Sequence, residues 1–336
     1  MAAMGGDRRG RHDRVSARLA ACSDAALVGL LAAGDAVGDA VGVVDVGGVP
    51  VFTKRIPITD RELARPHSTA NLFDVPLFCQ YGMFRLAGPG FSVWRELAAN
   101  IDVTEAVLAG GTEAFPLLHH WRVLPGRPPV IPDHRDLGAV VDQFGGDPGI
   151  RARLEALAGA THSLVLFGEY LPTALFDGPT VRPGRLERQL FEITGFLRRH
   201  ELLHMDGHPG NMRADAGRAR LVDFGLAVSP RFDLSAAERA FVARHTGHDA
   251  DYAAMRLVNW LVTTVCGVAG PVPGEPAARD AYVRRCAAGD LPGDVPESVA
   301  AILARHAPAA ARMNDFCRRL WDGDLTAVYP AGQARP

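Results

Sequence analysis

Three oxygen-bearing side chains lie in one short stretch of this chain, at spacings that let them converge. Asp206 and Asn211 stand five residues apart in HMDGHPGN, and Asp223 follows twelve residues later in LVDFGLA. Residues 211–222 read as a tight hairpin turning at 214–217, which would bring Asp223 back beside Asn211. Hard oxygen ligands with room left for water and phosphate oxygens suit magnesium. A carboxylate next to such a metal orients an attacking hydroxyl and takes its proton. Phosphoryl transfer asks for little beyond positioning, charge neutralisation and an in-line nucleophile.

A fourth candidate is Lys54, the only lysine among 36 lysines and arginines. An ammonium offers three donors to a point, whereas a guanidinium is a wide planar fork. A tight pocket holding adjacent phosphates and a carboxylate favours the ammonium. Lys54 ends an apolar, β-branched run (Val49, Val51, Phe52, Thr53) that reads as a strand.

Lys54, the loop His204-x-Asp206-x-x-x-x-Asn211 and the triplet Asp223-Phe224-Gly225, in this order, resemble the protein-kinase-like superfamily. The resemblance spans roughly residues 25–230 and implies an α+β, two-lobed fold, with a β-rich N-lobe and a mainly helical C-lobe. It implies ATP and Mg2+ as cofactors. Lys54 would pair with the α- and β-phosphates, Asp206 would be the catalytic base, and Asn211 and Asp223 would hold the metal. His204 would brace the loop. His208 stands where protein kinases usually carry lysine. Small-molecule phosphotransferases of the aminoglycoside and choline type often carry histidine there, so His208 joins Asp206 as a candidate catalytic residue.

The glycine-rich loop departs from the family pattern; only Gly34 and Gly38 fall near its place. Two glutamates of one helix compete to hold Lys54: Glu96, which is favoured, and Glu105, which shares an apolar face with Leu97 and Ile101. Glu62 is better explained as a helix cap with Thr59. The strand at 163–167 would lead into a hinge where Glu169, Tyr170 and Leu171 offer backbone groups to adenine. No A-P-E triplet follows Gly225, and a new helix is signalled at Ser235. The expectation is an ATP-dependent kinase acting on a hydroxyl of a small molecule or a biosynthetic peptide. The alternatives are a Ser/Thr protein-kinase-like enzyme and a nucleotide-binding pseudokinase serving as a partner or scaffold. RFDLSAAERAF and LVNWLV look like segments of uncharacterised kinase-like proteins from actinobacteria.

The elements that must position these residues are legible in outline. Residues 1–20 read as a mobile leader, 21–170 as the nucleotide-binding lobe and 171–336 as the lobe of catalytic loop, metal site and substrate helices. Residues 25–57 read as strand, loop, strand, turn, strand. Helices are expected at 94–109, 186–199, 235–244, 251–265, 299–305 and 309–320, and strands at 115–124 and 163–171.

Bulk composition excludes several classes. The chain has 336 residues, 48% hydrophobic and 22% charged, with net charge −2. This is ordinary for a globular protein, and the near-neutral balance argues against nucleic acid as a partner. Five scattered cysteines, without a C-x-x-C pair, argue against a disulfide framework or zinc and fit a cytoplasmic location. No apolar run approaches the ~18 residues that span a membrane. From residue 228 onward, 12 acidic residues stand against 12 arginines, which gives no support to a polycationic substrate.

Overall fold

The computed structural model describes residues 2–38, 40–177, 182–270 and 278–331. Two helices open the chain, α1 (Ala2–Ala20) and α2 (Asp24–Ala33). The strands β1 (Asp35–Ala36), β2 (Val41–Asp45) and β3 (Pro50–Ile58) follow, then α3 (Asp60–Leu63) and α4 (Val93–Leu108). β4 (Leu118–Pro125), α5 (Leu137–Gln143), α6 (Pro148–Ala158) and β5 (His162–Glu169) complete the first part. The second part contains β6 (Thr173–Ala174), α7 (Pro183–Arg199), β7 (Met212–Asp215), β8 (Arg218–Leu221), α8 (Ala236–Arg244), α9 (His248–Thr264), α10 (Ala278–Ala287) and α11 (Glu297–Trp321). The architecture is α+β: a five-stranded antiparallel sheet ordered β1-β2-β3-β5-β4, then a mainly helical part, a layout compatible with two lobes.

Lys54 sits on β3, paired with Val41 on one side and Leu166 on the other. β5 is buried on both faces. Its side chains alternate, as a strand requires: Val165 and Phe167 pack with Val15, Leu19 and Leu27 of α1 and α2, whereas Leu164 and Leu166 pack with Val93, Trp94 and Leu97 of α4. The sheet is thus held between two helical layers, and α4 approaches on the Lys54 side.

The structure departs from the sequence expectation at several elements. Residues 2–20 are not a mobile leader but a helix on the sheet. Its anchors, His12, Val15, Ser16 and Leu19, recur at one-turn spacing, and Ser16 Oγ donates to the His119 carbonyl on β4. The first element of 25–57 is helix α2, not a strand. Ser23 caps it by accepting the Ala26 N–H at 3.2 Å. The two helices expected near the C-terminus are one, α11, running through Pro308.

The Thr59–Glu62 capping box is present, and Glu62 does more than cap. Fully buried, it accepts N–H bonds from Thr59 at 2.9 Å and Val93 at 3.0 Å and pairs with Arg153 of α6 at 3.2 Å. One carboxylate therefore ties the start of α4 to α3 before it and α6 after it.

Candidate active site

Lys54 Nζ lies 2.7 Å from Glu96 Oε1 and 2.9 Å from Asp223 Oδ1. Glu96 is in the first turn of α4, which Ser92 starts by accepting the Trp94 N–H. Glu105, the competing glutamate, is exposed near the other end of the same helix. Burial opposes the charge on Lys54, but Asp223 and Glu96 more than offset it and raise its pKa. Burial pushes the Glu96 carboxyl up, against the pull of Lys54. Burial alone would also raise Asp223. The Lys54 ammonium and the Gly225 N–H, at 3.1 Å, instead hold it down at about 2. Asp223 has a left-handed backbone, φ 66°, that turns its side chain back toward Lys54. Phe224 is fully buried, with its ring 5.0 Å from His204 and 5.9 Å from Phe115.

The loop bearing Asp206 is braced from beneath. His204 Nε2 faces the Val222 carbonyl at 3.0 Å, so this nitrogen carries the proton and Nδ1 is left to accept the Asp206 N–H at 3.3 Å. Asp249, in the first turn of α9, accepts the N–H groups of His204 (2.7 Å) and Met205 (3.0 Å). Sequence reasoning passed over Asp249; the only signal was a pair of aspartates opening an apolar helix. Asn211 Nδ2 donates to the Asp206 carbonyl at 2.9 Å and lies 3.4 Å from its carboxylate. The two-residue hairpin β7–β8, with Ala216 and Gly217 at positive φ, returns the chain so that Val222 N–H bonds the Asn211 carbonyl.

Burial and the Asp223 charge push Asp206 up to about 7, against Arg256, Asn211 and Lys54. His208 caps the turn after it: its Nδ1 accepts the Gly210 N–H at 3.0 Å, and Nε2 lies 3.7 Å from Asp206 Oδ2. That distance is too long for a direct hydrogen bond, so the observed contact of His208 is with the loop backbone.

Asn211, with its side-chain nitrogen turned to Asp206, keeps its side-chain oxygen Oδ1 for another partner, and Asp223 Oδ2 is likewise free of Lys54. These are hard oxygen donors of the kind magnesium takes. Among the described residues no cage of three or more His, Cys, Asp or Glu side chains is present. The protein thus offers a partial shell that substrate oxygens and water would complete, which fits magnesium.

Lys54, Glu96, Asn211 and Asp223 line one cleft of about 260 Å3, roofed by Val41 and Phe52 and bordered by Tyr170 and Leu171. Gly34 and Gly38 do not reach it. Gly34 ends α2 against β2, where a Cβ would stand 2.7 Å from Val44 Cγ1, and the Gly38 N–H is spent on the Val41 carbonyl. Val37, just after β1, and Val41, which opens β2, line the cleft instead. Glu169 lines the cleft as well. Its N–H goes to the Leu117 carbonyl at 2.8 Å, and its carboxylate takes Arg8 of α1 at 2.9 Å. Tyr170 and Leu171 keep backbone groups without a bond among the described residues.

On the other side of Asp206 lies the run into α4. Gly82 is so close that a Cβ would stand 2.6 Å from Asp206 Oδ1. Next to it, Met83 Sδ accepts from Tyr252 Oη at 2.9 Å and lies 3.5 Å from Arg256 Nη2. The segment after Gly225 is short and pinned. Val228 pairs with Leu203, Arg231 binds Asp102 at 2.6 Å, and Asp233 exchanges bonds with Thr69. No protein-family model matches this chain, and no curated protein does either.

Proposed function

We propose that this protein is an ATP- and magnesium-dependent phosphotransferase of kinase-like, two-lobed fold, acting on a hydroxyl of a small molecule or a biosynthetic peptide. The observation that carries the reading is the ammonium of the only lysine, held between Glu96 and Asp223 in a cleft that Asn211 also lines. A cation so placed is suited to phosphate oxygens, and an apolar roof of Val41 and Phe52 is suited to a flat base.

Asn211 and Asp223 would hold Mg2+, which neutralises charge on the transferred phosphate. Asp206, held by Asn211 and packed against Gly82, would accept the acceptor's hydroxyl proton. His204 and Asp249 keep its loop from shifting, which matters because phosphoryl transfer rests on positioning. The pinned segment after Gly225 supports a small acceptor over a general protein substrate, since it leaves no long mobile loop to dock one.

ATP turnover with magnesium, wild type against Asp206→Asn, tests the reading. Loss of roughly 100- to 10,000-fold in kcat with ATP binding retained is expected. Binding of ATP with no turnover that depends on Asp206 points instead to a nucleotide-binding partner protein.

A further inference from the structure

Arg256 on α9 has too few partners for its position. Its Nη2 donates to Tyr252 Oη at 2.5 Å and touches Met83 Sδ at 3.5 Å, and its guanidinium carbon lies 4.8 Å from the Tyr252 ring. Its Nε is buried with no partner, and no carboxylate among the described residues pairs with it. A second arginine, Arg279 on α10, shares the unmet Nε, although its Nη2 pairs with Asp280 at 3.6 Å. Leaving buried donors of a cation unmet is costly.

The place matters as much as the vacancy in bonding. Met83, which touches Arg256, follows Gly82, which rests on the Asp206 carboxylate. The Arg256 charge favours ionised Asp206 and neutral His208. Arg256 therefore stands on the Gly82 side of Asp206 and is not among the residues that line the Lys54 cleft. Guanidinium forks match the paired oxygens of a carboxylate or phosphate.

We propose that Arg256, backed by Arg279, forms an oxyanion pocket beside Asp206 that holds an anionic group of the acceptor, so that the acceptor is a hydroxyl compound bearing a carboxylate or phosphate. This rests on the phosphotransferase reading. In the step itself the acceptor oxygen bonds to the γ-phosphorus of ATP, and the bond from that phosphorus to the bridging oxygen breaks with its electron pair going to ADP. The hydroxyl proton goes to Asp206. Arg256 takes no part in bond making; it positions the acceptor.

Two arms test this. In the first, the full chain is titrated with inorganic phosphate and with glycerate while its thermal unfolding is followed. Stabilisation by either anion is expected, lost in Arg256→Met and kept in Lys54→Met. No stabilisation of wild type, or stabilisation lost only in Lys54→Met, overturns the pocket. In the second arm, glycerol, glycerate, glycerol monophosphate and aminopropanediol are compared as acceptors. Tenfold or greater preference in kcat/KM for an anionic member over glycerol is expected, carried by KM and falling below threefold in Arg256→Met. Which anion gains more separates a carboxylate from a phosphate. Preference for aminopropanediol, or a preference untouched by Arg256→Met, overturns the proposal. Should Arg256→Met not fold, Arg279→Gln reports in the same direction, with a roughly threefold effect expected. If no ATP turns over yet the first arm succeeds, the anion site stands and the phosphotransferase reading fails.

Discussion

Arg95 and Glu238 meet at 2.6 Å across the two parts of the molecule, with only 2% and 5% of their side chains exposed. Arg95 is the residue before Glu96. Two successive residues of α4 thus bind in different directions, one to the start of α8 and one to Lys54. Glu238 is also the N3 residue of the capping box that opens α8. The pair ties the angle of α4, and so the reach of Glu96, to the helical part. Removing one partner strands a buried charge. Arg95→Met is therefore expected to lower unfolding free energy by about 3–5 kcal/mol. The double variant with Glu238→Leu should recover part of that loss. Denaturant unfolding of the four members of the cycle checks it.

Lys54→Arg is expected to fail almost as fully as Lys54→Met. The ammonium fits between two carboxylate oxygens at 2.7 and 2.9 Å, and a planar fork cannot converge on both and on phosphates as well. A loss of roughly 100- to 1,000-fold in kcat is the expected scale for removing such a stabilising group. Comparable turnover in the arginine variant would remove the geometric argument, since this chain uses arginine everywhere else.

Gly82→Ala is expected to cut turnover by about tenfold or more without weakening ATP binding, because misplacement by an ångström is enough to slow such a reaction. The added Cβ would stand 2.6 Å from Asp206 Oδ1, so the carboxylate must turn away. Steady-state kinetics with separate KM values for ATP and acceptor check it. An unchanged kcat would mean Asp206 is not held by this contact.

Docking of α1 should weaken in acid. His12 Nδ1 and His119 Nδ1 lie 2.9 Å apart in a buried contact, where one ring must donate and the other accept. Burial lowers both, His119 to about 4, with the neighbouring His12 adding to the effect on it. Glu169 and Asp13 favour protonation of this pair, whereas Arg8, Arg9 and Arg11 oppose it. In the unfolded chain these rings titrate near 6.5, so as pH falls the unfolded state binds protons first. Stability is full above that value and declines from about pH 6.5 to about pH 4, by roughly 3 kcal/mol for His119 alone. Hydrogen exchange of α1 against pH measures this. The pair His12→Leu and His119→Leu should flatten the profile.

The sequence displays the site better than the frame around it. Asp206, Asn211 and Asp223 are close in sequence, and a short hairpin is enough to gather them. Lys54 stands out by composition. The choice between Glu96 and Glu105 needed rotation, not proximity: steps of four residues drift about 40° around a helix. Accordingly Leu97 is buried, Ile101 half-buried and Glu105 exposed, so the apolar stripe does not carry Glu105 inward. Helix α1 was hidden because half of its anchoring face is polar. His12 and Ser16 are satisfied by His119 on a strand more than a hundred residues away, and no local pattern announces that partner. Gly34 and Gly38 misled because a glycine needed for close packing looks the same in sequence as one that cradles a ligand.

Residues 80–84 belong by sequence to the run into α4 and by contact to the helical part. Gln80 donates to the Leu226 carbonyl, and Tyr81 Oη meets His245 Nε2 at 2.6 Å. Under the phosphotransferase reading, a hinge motion wide enough to release a nucleotide would pull on this strap, whose Gly82 packs against Asp206. The two entrances would then share one moving part, like a turnstile. Under the phosphotransferase reading, both ligands must be aboard before it closes and both products leave when it opens. The traffic of acceptor and nucleotide is then synchronised by a covalent connection rather than by affinity.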